Sequence, residues 1–227
     1  MENLKRMKSI ISLSIFVLLC TSVFGQSKDP KAKAILDKAL TKYKTYKSFS
    51  ASVKYVKHIP EVEDEEYSAD VKFSGNKMYA NTSDGREVFN DGKTLYVYYK
   101  EENEVNIYSS DPEENDDFNI EKYLNNYDKK YKYVHMGQVS VQGVKCDFIE
   151  LSPDLPHQEL ERQPIFKVKV YLNATTHEVV NWHVFQRDGI NYNILITSFK
   201  PNVTFQDSEF VFDKSKYPGV EVEDMRE

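Results

Sequence analysis

The sequence predicts a mainly β fold of the α+β class, with one helix near its start and a single curved antiparallel sheet of about ten strands. Three observations support this prediction. One segment has the helical spacing of apolar residues, and several later segments alternate apolar and polar side chains. Short turns join those later segments without intervening helices, which favours antiparallel meander pairing.

A signal peptide is predicted over residues 1–25, which leaves residues 26–227 as one folded domain. Three basic residues precede an apolar run from Ile10 to Cys20, and this run is too short to span a bilayer. Small residues precede Gln26, as a cleavage site requires, and the bulky Leu19 argues against a lipid anchor at Cys20. We therefore expect an exported, soluble protein.

The composition limits the partners. The chain has 30 basic and 36 acidic residues, a net charge of −6. The first 25 residues contribute three basic and one acidic residue, so the predicted mature chain carries −8. A surface of this charge disfavours nucleic acids and anionic lipid headgroups. Outside the signal segment the one cysteine is Cys146, which predicts no internal disulfide and a buried strand cysteine.

The first predicted element is a helix. Asp29 can cap it and Pro30 suits its first turn. Its apolar positions recur with helical spacing at Ile35, Leu36, Ala39, Leu40 and Tyr43. This stripe must cover an apolar surface elsewhere in the fold.

Strands follow from Ser48 onward. Two segments alternate strictly, with one face formed by Phe49, Ala51, Val53 and Tyr55 and then by Tyr67, Ala69, Val71 and Phe73. Asp91-Gly92 predicts a tight primed turn in a hairpin from Val88 to Tyr98. The remaining strand-like runs are residues 104–108, 131–139, 144–151, 165–172, 178–186 and 191–199.

Two interruptions are not strand-like. Residues 118–124 have the apolar spacing of a short helix. Residues 153–164 are rich in proline and charge, which predicts an irregular, mobile loop.

Motifs for catalysis, metals and cofactors are missing from the sequence. It has no glycine-rich phosphate loop, no Gly-x-Ser-x-Gly turn and no His-Glu-x-x-His helix. The His157 to Glu161 segment is interpreted as surface polarity, not as a metal site. We expect a protein that is not an enzyme and has no metal or cofactor. A hydrolase with a dispersed site stays an alternative, because spatial triads leave no fixed spacing.

Two motifs carry a family resemblance. The segment from Asn90 to Tyr98, Asn-Asp-Gly-Lys-Thr-Leu-Tyr-Val-Tyr, resembles the Asp-Gly-Lys-Thr-Leu-aromatic-x-Tyr hairpin of the LolA family of periplasmic lipoprotein carriers. The segment from Gly219 to Arg226 resembles that family's closing Gly-Val-x-Val-x-Asp-x-Arg, and residues 210–212 match the apolar strand before it. The opening strand from Ser48 is also similar, so the resemblance spans nearly the whole mature chain.

The resemblance implies an open, strongly curved antiparallel sheet, an incomplete barrel, with helices covering its concave face. Acyl chains of lipoproteins would lie in that cavity, and residues 118–124 would form part of its lid. The implied lipid-binding residues are Phe49, Val53, Tyr55, Val71, Phe73, Met78, Leu95, Val97, Ile194 and Ile196 from the sheet, and Ile35, Leu36, Leu40, Ile120 and Leu124 from the helices. Tyr96 and Tyr98 are an alternative inward pair on their strand.

The resemblance also implies a function and partners. A monomeric carrier would accept acylated lipoproteins from an inner-membrane ABC transporter and deliver them to the outer membrane, with an outer-membrane receptor at the end of the route. A periplasmic sensor that binds lipid or lipoprotein on the same fold is the alternative. Other family members carry an arginine followed by a proline just before the turn at Ser74. This sequence has neither, and no residue is assigned to that role.

Overall fold

The computed structural model describes residues 28–110, 124 and 127–226. The first part consists of α1 (Pro30–Tyr43), β1 (Ser48–His58), β2 (Glu65–Ser74), β3 (Lys77–Thr82), β4 (Arg86–Asn90), β5 (Thr94–Tyr99) and β6 (Glu104–Ser109). The second part consists of α2 (Tyr127–Lys130), β7 (Tyr131–Val141), β8 (Val144–Pro153), α3 (His157–Leu160), β9 (Ile165–Asn173), β10 (Val179–Gln186), β11 (Asn191–Pro201) and β12 (Glu221–Asp224). Two short 3₁₀-helices, Asp207–Phe210 and Lys214–Lys216, precede β12.

The twelve strands form one curved sheet in the order β12-β6-β5-β4-β3-β2-β1-β11-β10-β9-β8-β7. Strands β1–β6 are one meander and β7–β11 are a second, and the two meet where β1 pairs antiparallel with β11. The sheet is open, with β7 and β12 at its edges. The prediction of a mainly β, open antiparallel sheet is confirmed.

The helix α1 begins and ends where the sequence predicts. The Asp29 carboxylate accepts a hydrogen bond from the Lys31 backbone N–H at 2.8 Å, and Pro30 occupies the first turn. The buried residues of α1 are Ala32, Ile35, Leu36, Ala39 and Tyr43, and Leu40 is half-buried. The helix therefore presents one apolar stripe to the sheet.

The two strictly alternating segments pair with each other as β1 and β2. Phe49 lies opposite Phe73 and Tyr55 lies opposite Tyr67. Both pairs stack, with ring centroids 4.7 Å and 4.5 Å apart. Register is fixed here because a slip of one residue would turn both aromatic pairs to the other face.

The predicted hairpin forms between β4 and β5, but its turn differs from the expected two-residue primed turn. Residues 91–93 form the connection, and among them Gly92 has a positive φ, of 91°. The Asp91 carboxylate accepts hydrogen bonds from the backbone N–H groups of Lys93 and Thr94, at 2.8 and 2.9 Å. Asp91 itself has no positive φ, so this is not the turn expected for Asp-Gly, and the bonds to the Asp91 side chain stabilise it instead.

The prediction of a strand at residues 210–212 is wrong. Phe210 is the last residue of a 3₁₀-helix. The N-cap residue of this helix, Gln206, forms a capping box with Glu209. These hydrogen bonds favour a helical turn over an extended chain. The chain then reaches β12, which pairs with β6 in parallel, the exception to the expected antiparallel pattern.

Residues 153–164 are more regular than expected. They contain α3, and the Arg187 guanidinium donates hydrogen bonds to the backbone carbonyls of Leu160 and Gln163.

Cys146 is fully buried in β8, as predicted. Within the described ranges, no helix is both long and apolar enough to cross a membrane.

Candidate functional site

One face of the sheet collects most of the predicted binding residues. Residues directly opposite each other in a sheet point to the same face. Phe49 pairs with Phe73 and Phe73 with Met78, so these three side chains share a face across β1, β2 and β3. Tyr55 pairs with Ile194 and Ile194 with Trp182, which extends the same face across β11 and β10. This surface is called the helix-covered face below.

The helix α1 packs over this face. Its buried residues Ile35 and Leu36 belong to the same apolar cluster as Val53, Val71 and Ile194. The half-buried Leu40 packs against that cluster. The helical stripe predicted from the sequence thus covers the predicted sheet face.

Two adjoining hollows lie on the helix-covered face. The first, called the phenylalanine hollow, has a cavity volume of about 20 Å³ and is lined by Tyr43, Phe49, Ala51, Val53, Val71, Phe73, Trp182, Ile196 and Phe199. The second, called the tyrosine hollow, has a cavity volume of about 80 Å³ and is lined by Tyr55, Ile165, Trp182, Val184, Gln186, Tyr192 and Ile194. Trp182 belongs to both walls and joins the two hollows.

The predicted binding residues divide among these positions. Phe49, Val53, Val71, Phe73 and Ile196 line the phenylalanine hollow, and Tyr55 and Ile194 line the tyrosine hollow. Met78, Ile35, Leu36 and Leu124 are buried in the cluster around them, and Leu40 packs on it. Ile120 lies outside the described residues.

The strand β5 resolves a choice that the sequence leaves open. Leu95 pairs with Asn90 and Asn90 with Met78, so Leu95 lies on the helix-covered face, and alternation places Val97 there too. Tyr96 pairs with Phe89 and therefore lies with Tyr98 on the opposite face. The alternative that Tyr96 and Tyr98 point inward is wrong.

Hydrogen bonds join the N-terminal end of α1 to β7. The Asp29 backbone N–H donates to the Tyr133 carbonyl at 3.0 Å, and the Asp29 carboxylate accepts from the His135 N–H at 2.9 Å. One side chain thus caps the helix and binds the edge strand. Burial disfavours the charged Asp29, but these backbone hydrogen bonds outweigh burial and lower its pKa below the usual value.

Polar contacts join the C-terminal end of α1 to the start of β10. The Tyr43 hydroxyl accepts from the Val179 N–H at 3.1 Å, and Lys42 Nζ lies 3.1 Å from Glu178 Oε1. The Tyr46 hydroxyl donates to the same carboxylate at 2.8 Å. Burial and the neighbouring Glu178 both raise the pKa of Tyr46. Polar bonds therefore fix the two ends of α1, while apolar contacts hold its middle against the cluster on the helix-covered face.

Solved structures resemble this sheet. A conserved protein from Thermus thermophilus aligns with 87% of this chain and 99% of its own, at a TM-score of 0.55 and 11% identity. The Mycobacterium tuberculosis lipoprotein LppX aligns over 79% and 100%, at a TM-score of 0.52 and 14% identity. A LolA superfamily protein from Nitrosomonas europaea aligns over 80% and 98%, at a TM-score of 0.40 and 14% identity.

The chain therefore shares its fold with the Thermus thermophilus protein and with LppX. No protein-family model matches the chain. An uncharacterized protein of Methanocaldococcus jannaschii is 27% identical over 203 residues, which are 88% of this chain and 56% of that relative. The chain thus spans about half the length of the curated relative that it matches.

Sequence reasoning missed part of the walls of the two hollows. Trp182, Tyr192 and Phe199 line the hollows but were not among the predicted binding residues. Trp182 and Val184 alternate with polar Asn181 and His183, and this alternation is the signal that could have identified Trp182.

The predicted lid segment lies mostly outside the described residues. Its last residue, Leu124, is 2% exposed and belongs to the main cluster. Tyr127, which begins α2, is also buried and its hydroxyl donates to the Asp37 carboxylate of α1 at 2.7 Å. The chain after the predicted lid segment is therefore bound to α1.

Some histidines in the described ranges lie beside carboxylates. A buried pair, His135 Nε2 and Asp147 Oδ1, lies 2.9 Å apart, with both side chains 6% exposed. His157 and Glu161 lie 3.6 Å apart and are exposed. Within the described ranges, no group of three or more His, Cys, Asp or Glu residues could hold a metal ion.

Proposed function

We propose that the protein is a carrier that binds the acyl chains of lipoproteins and shields them while they cross the periplasm from the inner to the outer membrane. The observation that supports this most is the pair of hollows on the helix-covered face, which share Trp182 and have mainly apolar walls. Seven of the residues predicted from the sequence lie in those walls.

The physics of an acyl chain favours such an enclosure. Exposing a lipid chain to water costs roughly 0.8 kcal/mol per methylene group. The hollows have cavity volumes of about 20 and 80 Å³, below the roughly 300 Å³ of ordinary ligand sites, so in this proposal the site widens when an acyl chain binds. A carrier must also release its cargo, so the covered and uncovered forms must lie close in free energy. The helix α1 reaches the phenylalanine hollow through Tyr43, so displacement of α1 would widen that hollow.

The carrier acts by binding, and no covalent bond is made or broken. Its partners in this proposal are an inner-membrane ABC transporter that loads it and an outer-membrane receptor that unloads it. The acidic chain fits a periplasmic protein that recognises specific partners and avoids anionic membrane surfaces.

The test places a carboxylate in the phenylalanine hollow. In Phe73→Glu, a charge would lie where an acyl chain binds, and burying it unpaired is costly. We expect affinity for a fluorescent, synthetic triacylated lipopeptide to fall at least about tenfold, as measured by fluorescence anisotropy. Circular dichroism and urea denaturation report whether the variant is folded.

Two further variants keep this test decisive. Ser68→Glu adds the same charge on the exposed face of the same strand, opposite Lys54, and should bind the lipopeptide normally. Ile196→Glu changes a half-buried position in the phenylalanine hollow and should lose binding even if Phe73→Glu fails to fold. Unchanged binding by folded Phe73→Glu and Ile196→Glu would show that acyl chains do not use this hollow.

Purification of the protein from the periplasm distinguishes the carrier hypothesis from the sensor hypothesis. A carrier should be isolated with many different acylated proteins. Isolation with one membrane protein and no lipoproteins would instead support the sensor.

A further inference from the structure

Trp182 has a buried hydrogen-bond donor without a partner. The residue is 5% exposed, and its indole Nε1–H has no acceptor in the described part of the chain. Most buried polar groups in folded proteins are paired, and leaving one unpaired destabilises the fold. A purely structural tryptophan in an apolar cluster could be replaced by phenylalanine without this cost. The unpaired donor therefore indicates a role that is absent from the free protein.

The position of Trp182 suggests that role. It is the wall shared by the two hollows, and those hollows differ in polarity. The phenylalanine hollow is aliphatic and aromatic apart from Tyr43, whose hydroxyl is already bonded to the Val179 N–H. The tyrosine hollow adds the polar side chains of Gln186 and Tyr192. Polarity thus rises from the first hollow to the second, with Trp182 at the junction.

We propose that Trp182 Nε1–H donates a hydrogen bond to the carbonyl oxygen of an ester- or amide-linked acyl chain. The hydrocarbon tail then lies in the phenylalanine hollow, and the polar end of the ligand lies toward Gln186 and Tyr192. This inference rests on the proposed function and adds to it the chemical class of lipid and its direction in the site. A hydrocarbon or ether-linked chain of equal length leaves the donor unpaired and binds more weakly.

A matched pair of lipids tests this hydrogen bond. The two probes are 1-palmitoyl-lysophosphatidylcholine, which has an ester carbonyl, and its 1-O-hexadecyl ether analogue, which does not. Trp182 is the one tryptophan in the chain, so a ¹H–¹⁵N spectrum contains a single indole signal that reports this N–H alone. At saturation we expect the ester lipid to move the indole proton downfield and the ether lipid to leave it near its free position.

Affinities provide a second readout. One hydrogen bond of ordinary strength predicts roughly 3- to 10-fold tighter binding of the ester lipid than of the ether lipid. Trp182→Phe should remove this preference, whereas Tyr192→Phe, which deletes a hydroxyl in the tyrosine hollow, should keep it. The spectrum of the unaltered protein decides the question even if Trp182→Phe does not fold.

The outcomes separate this inference from the proposed function. Equal affinities with an unmoved indole signal would overturn the hydrogen bond and leave acyl binding standing. An ester preference that persists in Trp182→Phe but disappears in Tyr192→Phe would assign the donor to Tyr192 and overturn the role of Trp182. Failure of both lipids and of the triacylated lipopeptide to bind would overturn the proposed function, and the inference with it.

Discussion

Asp147 is a buried carboxylate on the strand β8. It accepts hydrogen bonds from His135 Nε2 at 2.9 Å and from Gln138 Nε2 at 3.0 Å. Burial disfavours the charged form, but the bonds to His135 and Gln138 outweigh burial and lower the pKa of Asp147 below its usual value of 3.8. Because the backbone of His135 also binds Asp29, the pair couples β7 and β8 to the start of α1.

Removing this charge should destabilise the protein in a pH-dependent way. We expect Asp147→Asn to lower the free energy of unfolding by about 1–3 kcal/mol at pH 7. A carboxylate with a depressed pKa stabilises the fold above its unfolded pKa of about 3.9, and this contribution is lost as the pH falls through the lower folded pKa. The difference between the two proteins in urea denaturation should therefore narrow below about pH 4.

A second carboxylate provides the comparison. Glu101 is exposed in the turn between β5 and β6, so Glu101→Gln should change the free energy of unfolding by less than about 0.5 kcal/mol. If the loss in Asp147→Asn stays constant down to about pH 2, the effect comes from altered packing and the lowered pKa is wrong.

At the scale of elements, the turn between β4 and β5 depends on one glycine. Gly92 has a φ of 91°, and a Cβ atom there would lie 2.4 Å from Asn76 Nδ2. Asn76 Nδ2 donates to the Gly92 carbonyl at 3.4 Å, so the turns after β2 and β4 contact each other. Gly75 also has a positive φ, of 60°, but no atom lies within 4 Å of its added Cβ.

These two glycines make a matched pair. Gly75→Ala should cost about 1 kcal/mol of unfolding free energy, from backbone strain alone. Gly92→Ala should cost about 1 kcal/mol more, because Asn76 must move and lose its hydrogen bond. In an Asn76→Ala background the two costs should agree within about 0.5 kcal/mol by urea denaturation. A difference that persists without Asn76 would mean that the contact between the turns is not the cause.

Alternation of apolar and polar residues predicted the strands, but not the facing of every strand or the 3₁₀-helix. Ser48–His58 and Glu65–Ser74 follow directly from period two, because burial on one face selects every second residue. On β5, which is apolar on both faces, period two cannot choose a side, and the pairing of Tyr96 with Phe89 was needed to do so. The 3₁₀-helix at Asp207–Phe210 depends on a local capping box that hydrophobicity does not encode.

Most site residues on β1 and β2 were predictable because their alternation is strict. The wall from β10 and β11 was less predictable because it depends on which distant strands meet. Pairing of β1 with β11 joins segments about 140 residues apart and brings Trp182 and Phe199 to the hollows. No local pattern specifies that meeting.

At the scale of the molecule, the two faces of the sheet are covered by different parts of the chain. The helix α1 covers one face, while Phe212 and Tyr217 cover the other by packing on Phe89, Tyr96 and Tyr98. Ion pairs support this second cover, including Lys72 to Glu209 at 2.8 Å and Lys77 to Asp207 at 2.7 Å. The stability of the β3–β6 half and the proposed lipid binding at the hollows should therefore be separable.

Phe212→Ala tests that separation. Its ring lies 4.6 Å from that of Tyr217 and 5.7 Å from those of Phe89 and Tyr96, so its loss should cost about 2–3 kcal/mol of unfolding free energy in urea. Val211→Ala changes the exposed neighbour and should cost less than about 1 kcal/mol. Under folding conditions both variants should bind the triacylated lipopeptide within about twofold of the unaltered protein, the reverse of Phe73→Glu. Weaker binding by folded Phe212→Ala would mean that the two faces are coupled through the sheet, because Phe212 itself lies opposite the hollows.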